Sequence, residues 1–418
     1  MKRSELFTKT SKTAPADEVA KNAQLLIRAG FVHKEMAGVY TFLPLGLRVL
    51  KNICNVIREE MNRIGGQELR LSTLQDAEIW KATGRWDDEV VDVWFKTELK
   101  NGTKLGLGPT HEEPLVRAAK PFINSYKDLP FLAYQIQTKF RNETRAKSGV
   151  MRGREFVMKD MYSFARTPEE HEELYERIKQ AYYRVYERLG IGEQTFLTFA
   201  SGGMFSKYSH EFQTVTEAGE DTIYLDRGKK IAVNEEVNTD EVMEQLGLDR
   251  SKLEEVKAAE VGNIFSLKDK YSKPLGLTFV DEKGEIDNVL MGCYGIGPSR
   301  LVGVITELMA DERGLVWPEN IAPFRVYLAQ LGVEEEVVKA ADELYENLQH
   351  QGIEVMYDDR DVRPGEKFAD ADLMGIPYRV VVSAKTVAAN KFEVKRRTES
   401  DSSMESAESL NNLLTAGL

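Results

Sequence analysis

Cysteine is scarce: Cys54 and Cys293 are the only two in 418 residues, far apart and without the paired Cys/His spacing of a structural zinc site. A disulfide framework and a thiolate metal site are both excluded, and a reducing compartment fits. Basic excess is missing too. The net charge is −12, so a nucleic-acid partner must be met by local basic patches rather than a general positive field. No apolar run approaches the ~20 residues of a membrane span. The first residues, with Lys2, Arg3 and Glu5, lack the apolar stretch of a secretory signal, so a cytoplasmic protein is expected. There is no internal repeat.

What is present is a chain with 42% hydrophobic and 30% charged residues, long enough for two or three domains with their own cores. From Leu47 to Ile64 apolar residues recur at Leu50, Ile53, Cys54, Ile57 and Met61, a helical stripe that stops at Gly65-Gly66. A second helix is predicted from Thr167, with Pro168 at its first position and Glu170 three residues past the cap, running to Gly190. Between them, Leu132 to Lys139 and Arg154 to Met158 read as strands of an antiparallel sheet. Thr239 to Leu248 and Arg250 to Ala259 read as helical. After the prolines near Trp317 to Pro323 the pattern becomes β-α-β-α-β: Arg325–Leu331, Glu334–His350, Ile353–Tyr357, Lys367–Met374 and Tyr378–Val382. That alternation predicts a separate α/β domain with parallel pairing. Thr398 to Ser409 is polar and reads as a loop. The expected division is 1–320 and 324–418, in an α/β (α+β) chain.

Two stretches carry chemistry. In the first, Phe140-Arg141-Asn142-Glu143 is followed by a polar loop and Met151-Arg152-Gly153-Arg154-Glu155-Phe156. An arginine and a carboxylate two apart on a strand share a face, and the returning aromatic offers a surface on which a base can stack. Taken alone, the pair also describes a surface ion pair. The second is Gly292-Cys293-Tyr294-Gly295-Ile296-Gly297-Pro298-Ser299-Arg300, where small residues let the backbone approach a ligand and Arg300 opens a helix. It fails as a dinucleotide fingerprint, because the third glycine and the downstream acidic residue are missing.

Together these stretches resemble the second and third signature motifs of class II aminoacyl-tRNA synthetases. The resemblance extends in order over nearly the whole chain, through Gly38–Gly46, Gly84-Arg85-Trp86, Gly108-Pro109-Thr110-His111-Glu112-Glu113, Tyr134–Asp160, Ser209-His210-Glu211-Phe212-Gln213, Glu260–Phe265 and Arg363-Pro364-Gly365. It is to bacterial-type prolyl-tRNA synthetases. The resemblance implies a catalytic domain on an antiparallel sheet and a C-terminal anticodon-binding domain. It also implies the substrates ATP, L-proline and tRNA(Pro), with Mg2+ accompanying ATP, and a homodimer.

The roles it implies follow the motifs. Arg141 holds the α-phosphate and Arg300 the γ-phosphate, making these the catalytic pair. Phe156 stacks on adenine, Glu143 accepts from the adenine amino group or the substrate, and Glu211 or Gln213 contacts ribose or magnesium. Thr110 and Glu112 match the loop that holds the secondary amine of proline, with Arg141, Asp160, His210, Phe212 and Cys293 around the ring. Arg145 and Lys147, and Asp359, Arg360 and Lys367 in the last domain, are candidates for contact with tRNA. No metal held by the protein alone is expected.

Two departures stand out. Ser72 occupies the place of the proline that normally ends the first class II motif at the dimer interface. Leu225 to Glu260, about thirty to forty residues, stands where many bacterial relatives insert a large domain that hydrolyses mischarged alanine, so editing within the chain is expected to be absent. A threonyl enzyme would need a Cys/His zinc site, a seryl enzyme a long N-terminal coiled coil, and a non-catalytic relative the loss of Arg141, Glu143 or Arg300.

Overall fold

The computed structural model describes residues 1–144, 148–202 and 208–416, without the side chain of Tyr208. It divides into two compact units, one comprising Met1–Glu35, Thr41–Asn52 and Ile305–Leu418, the other Met36–Tyr40 and Ile53–Val304.

The second unit carries a nine-stranded sheet built from β1 (Gly66–Glu68), β2 (Phe131–Phe140), β3 (Glu155–Ala165), β4 (Thr195–Ser201), β5 (Tyr208–Val215), β6 (Asp221–Asp226), β7 (Ile231–Asn234), β8 (Glu254–Lys268) and β9 (Leu290–Ile296). Their order is β5-β4-β7-β6-β8-β9-β3-β2-β1, and β5 pairs with β8 as well, so five strands close into a ring. The central pairings β2–β3, β3–β9 and β9–β8 are all antiparallel.

Two long helices form where the sequence predicts them. The first, α1 (Pro44–Arg63), buries Leu50, Ile53, Ile57 and Met61 and ends before Gly65, whose φ of 84° suits a residue without Cβ. The shorter α2 (Ala77–Ala82) is capped by Asp76, and α3 (Glu112–Ala119) begins at the Thr-x-Glu motif. The second long helix, α4 (Pro168–Arg188), starts with Thr167 accepting from the Glu170 amide. It buries Leu174, Ile178, Tyr182 and Val185. The last helix of the motif region is α5 (Pro298–Met309).

Sheet alternation decides where the chemistry lies. Along β3, Lys159 turns to α4, donating to Tyr182 Oη and to the Tyr294 carbonyl. Its neighbours Phe156, Met158, Asp160 and Tyr162 therefore face the opposite side, the floor of a cleft. At Gly295 on the next strand, an added Cβ would come within 2.7 Å of Asn263 Oδ1, so a larger residue there would push that side chain aside.

Two predicted elements differ. Arg250 to Ala259 is not a helix: after a short turn at Arg250–Lys252 the chain enters β8, with Asp221 to Leu225 of β6 laddered against Glu254 to Ala258. Pairing overrides the helical propensity of this Lys/Glu/Ala-rich stretch. Thr398 to Ser409 contains a strand, Ser403–Glu405, and the start of a helix, Ala407–Thr415, capped by Ser406 and anchored by Leu410 and Leu414.

In the first unit, Val355–Asp358, Val326–Leu331 and Tyr378–Ser383 lie parallel, followed by antiparallel Phe392–Arg396 and Ser403–Glu405. The core is one apolar cluster including Val326, Leu328, Leu344, Val380 and Val382. This compact unit is wider than the predicted 324–418. The chain start joins it through an Arg3 amide bond of 2.7 Å to the Tyr357 carbonyl and a Ser4 hydroxyl bond of 2.6 Å to Asp359.

Candidate active site

One end of the cleft is a set of arginines. Arg141 leaves the end of β2, donates from Nε to the Pro109 carbonyl at 3.2 Å and lies 5.4 Å from the Phe156 ring. Burial holds its pKa below the usual arginine range, with Glu260 and Glu143 opposing that shift. Arg300, in the first turn of α5, donates from Nε to the Met151 carbonyl at 2.8 Å and from Nη1 to the Glu260 carbonyl at 2.6 Å. Glu143 accepts from Arg152 Nε at 3.1 Å and Nη2 at 2.8 Å. Arg141, Glu143, Phe156 and Arg300 thus line one cavity, together with Glu260 and Asn263.

A carboxylate cluster adjoins it. A cavity of about 340 Å³ is bordered by Glu211, Asp221 and Glu260 as well as Arg141 and Arg300. Gln213 Nε2 donates to Glu211 at 2.9 Å and to Asp221 at 2.7 Å. Burial, reinforced by the neighbouring Glu260, pushes the Glu211 carboxyl up to about 8. Such a group gains from a cation. Among the described residues no group of three or more His, Cys, Asp or Glu side chains could by itself hold a metal ion. The donor set suits a hard cation that keeps water and phosphate ligands and takes only one or two carboxylates from protein.

The other end is a small buried polar pocket. Thr110 Oγ1 lies 2.7 and 2.8 Å from the two Glu112 carboxylate oxygens, and Cys293 Sγ donates to Glu112 Oε1 at 3.2 Å. Burial, then the Glu112 charge, pushes the Cys293 thiol well up, so it stays protonated. Asp160 pairs with Lys139 at 2.7 Å and accepts from Gln135 and Tyr162, each at 2.9 Å. Burial would raise its carboxyl, but the Lys139 charge beside it outweighs that, aided by the Gln135 bond, and holds it below the usual range. Tyr162 Oη accepts from the His111 amide at 3.1 Å, linking this pair to the Thr110–Glu112 loop.

His210 and Phe212 are elsewhere. They alternate on β5 with Glu211 and Gln213, which point into the cleft, so the pleat turns them to the far side. There His210 Nδ1 meets Tyr175 Oη at 2.7 Å, and Phe212 packs on Tyr182, Tyr183 and Tyr186 of α4. Their expected place beside a proline ring is corrected to the sheet–helix core. The candidates for tRNA contact in the last domain are also committed within the fold. Lys367 is 2% exposed and donates to the Gln330 and Asp358 carbonyls. Arg360 is clamped by Asp358 and Asp370, and Asp359 accepts from Ser4. Arg145 and Lys147 lie outside the described residues.

Reading residues by motif missed Arg85, Glu113, Lys139, Tyr162, Asp221 and Glu260 as parts of the site. Arg85, Glu113, Lys139 and Glu260 fall inside matched segments. Their roles depend on partners that only the fold brings together.

Residues 95–309 match the tRNA synthetase class II core domain (G, H, P, S and T), and 325–416 match an anticodon binding domain. The chain is 37% identical to the proline–tRNA ligase of Rickettsia rickettsii strain Sheila Smith, over 94% of this chain and 95% of the relative. It is 38% identical to that of Zymomonas mobilis strain ZM4, over 100% and 99%. The chain belongs to the proline–tRNA ligase family. As a member it is a class II aminoacyl-tRNA synthetase that joins proline to tRNA. The fold is shared with prolyl-tRNA synthetase of Cryptosporidium parvum crystallised with halofuginone and AMPPNP. That match has a TM-score of 0.76 at 18% identity and covers 94% of this chain and 75% of the other.

Proposed function

We propose that this proline–tRNA ligase activates L-proline with ATP to a prolyl-adenylate, releases pyrophosphate, and passes the prolyl group to tRNA(Pro) with release of AMP. The observation that carries this reading is the meeting, over one sheet face, of Arg141, Arg300 and Phe156 with the Thr110–Glu112–Cys293 pocket. A bent ATP would stack its adenine on Phe156, with Glu143 near the amino group. Arg141 would hold the α-phosphate and Arg300 the γ-phosphate. The attacking group is the proline carboxylate, already ionised at neutral pH, so no general base is needed. Catalysis is then positioning and electrostatic stabilisation of charge developing at the α-phosphate.

Thr110 and Glu112 would receive the secondary ammonium, with Asp160 and Cys293 shaping the wall. Magnesium accompanying ATP would neutralise phosphate charge, with Glu211 and Glu260 as its protein ligands and Gln213 orienting Glu211. Residues 1–320 would form the catalytic domain and 324–418 the domain that binds the anticodon. We read the working form as a cytoplasmic homodimer without alanine editing. The test is exchange of labelled pyrophosphate into ATP with each standard amino acid. Exchange is expected with proline above all others; none with proline, or more with threonine, overturns the reading.

A further inference from the structure

Glu112, the proposed amine acceptor, has a second carboxylate behind it. Glu112 and Glu113 are both 0% exposed, and both address one guanidinium nitrogen, Arg85 Nη1, at 3.1 Å from Glu112 Oε2 and 3.0 Å from each Glu113 oxygen. Arg85 is held in place by rings on two sides, with its guanidinium 4.8 Å from Trp80 and 5.0 Å from Tyr271. Its backbone carbonyl accepts from Trp94 Nε1 at 3.0 Å. Among the described residues Arg85 is thus the one cation bonded to both buried carboxylates. Lys139 and Arg141 also act on Glu112 through space, but Lys139 is paired with Asp160 at 2.7 Å and Arg141 answers first to Glu260 and Glu143. An uncompensated buried charge is costly. An empty site with both carboxylates ionised carries one negative charge too many; a site holding a cationic amine does not.

We propose that Glu113 keeps a proton in the empty site, and that this proton leaves to solvent when the ammonium of proline docks on the neighbouring Glu112. The inference rests on the reading of Thr110 and Glu112 as the amine site. The balance is even in both states: Arg85 and a proton against two carboxylates before binding, Arg85 and the substrate ammonium against the same two afterwards.

The surrounding groups agree. From α2 and its C-cap come Trp80 and Thr83, whose hydroxyl donates to Glu113 at 2.7 Å. From β9 comes the neutral Cys293 thiol, and from the segment before Ser272 come the buried Tyr271 phenol and Lys270. Lys270 is exposed to solvent, where its charge is screened. Burial is the main force raising the Glu113 carboxyl, the Glu112 charge adds to it, and Arg85 and Thr83 oppose, leaving it at about 7.

A proton held in the empty site and lost in the complex makes proline binding tighten as pH rises. The expected gain is about tenfold between about pH 6 and about pH 8, flat above. The experiment is calorimetric titration of L-proline into the full chain in pairs of buffers whose ionisation enthalpies differ, phosphate and Bis-Tris near pH 6 and phosphate and Tris near pH 8. Near pH 6 the two apparent enthalpies should differ by close to one proton released, and near pH 8 by almost none. Glu113→Gln should bind proline more weakly, without release and without pH dependence. Thr83→Val, which removes only the hydroxyl on Glu113, should move the midpoint of release to higher pH. Proline binding with no proton release and a flat pH profile overturns this inference and leaves the amine site standing. No proline binding at any pH overturns both, and a midpoint unmoved by Thr83→Val removes Glu113 as the proton carrier.

Discussion

Arg300 Nη1 sits 2.6 Å from the Glu260 carbonyl and 3.1 Å from the Glu260 carboxylate, so the cation assigned to the γ-phosphate is already aimed by the strand that floors the cleft. Preorganised charge of this kind lowers a barrier without reorganisation at the moment of reaction. Arg300→Ala and Arg141→Ala should each reduce proline-dependent pyrophosphate exchange by on the order of a hundredfold or more. Circular dichroism and melting temperature should stay close to wild type, because each guanidinium borders a cavity. Near-normal exchange by a folded variant would take that arginine off the catalytic list.

His111 gives a stability prediction with a definite sign. Its Nε2 lies 3.1 Å from the Ser72 carbonyl and its Nδ1 2.9 Å from Lys139 Nζ, so the neutral ring donates at one nitrogen and accepts at the other. Burial, then the Lys139 charge, pushes its pKa down to about 4. A depressed folded-state value means the unfolded chain binds the extra proton first. The contribution is therefore present above about pH 6.5 and is lost as pH falls toward 4. His111→Gln should flatten the fall in unfolding free energy across that window, measured by urea titration at several pH values. An unchanged slope would show that His111 does not titrate as its surroundings require.

The last domain offers a separation of stability from recognition. Arg360→Ala leaves Asp358, itself 0% exposed, without its guanidinium, and should cost about 3 to 5 kcal/mol of stability. Lys367→Met leaves two carbonyls short of a donor and should cost about 1 to 3 kcal/mol. At a temperature where either variant remains folded, the KM for tRNA should stay within about twofold, since these cations are committed inside the fold. A large rise in that KM with an unshifted melting curve would return them to the RNA surface.

Alanine is the remaining test. It is smaller than proline, and each missing methylene is worth only about 1 to 3 kcal/mol of discrimination, so measurable alanine-dependent exchange is expected. Leu225 to Glu260 supplies β7, the helix Asp240–Leu246 and the start of β8, and its apolar residues Val233, Val237, Val242, Met243 and Leu248 pack into one cluster with Phe199. Alanyl-tRNA(Pro) given to the enzyme should lose alanine no faster than in buffer. Rapid release with prolyl-tRNA(Pro) left intact would reveal an editing site.

The elements written in the sequence are those whose signal is local. The Leu50–Met61 stripe and the Thr167-Pro168 start specify α1 and α4 by periodicity and capping alone, and the motifs around Arg141 and Arg300 name residues that come to line one cavity. What stayed hidden depended on pairing. The Lys/Glu/Ala-rich Arg250–Ala259 stretch reads as a helix until β6 ladders onto it, and His210-Glu211-Phe212-Gln213 announces two faces without saying which one α4 covers. Arg85 and Glu113 are 28 positions apart, and no pattern along the chain reports that they meet.

The ring of five strands bears on how this chain tolerates being shortened. Each of β4, β5, β6, β7 and β8 has a hydrogen-bonded neighbour on both sides, so that half of the sheet presents no bare edge to another chain. The 227–253 stretch, replaceable to judge by length alone, supplies the strand that bridges β4 to β6. Cutting it out would expose two unpaired edges at once, and unpaired edges recruit strands from other molecules. The expected cost of trimming is self-association during expression rather than a quiet loss of a surface loop.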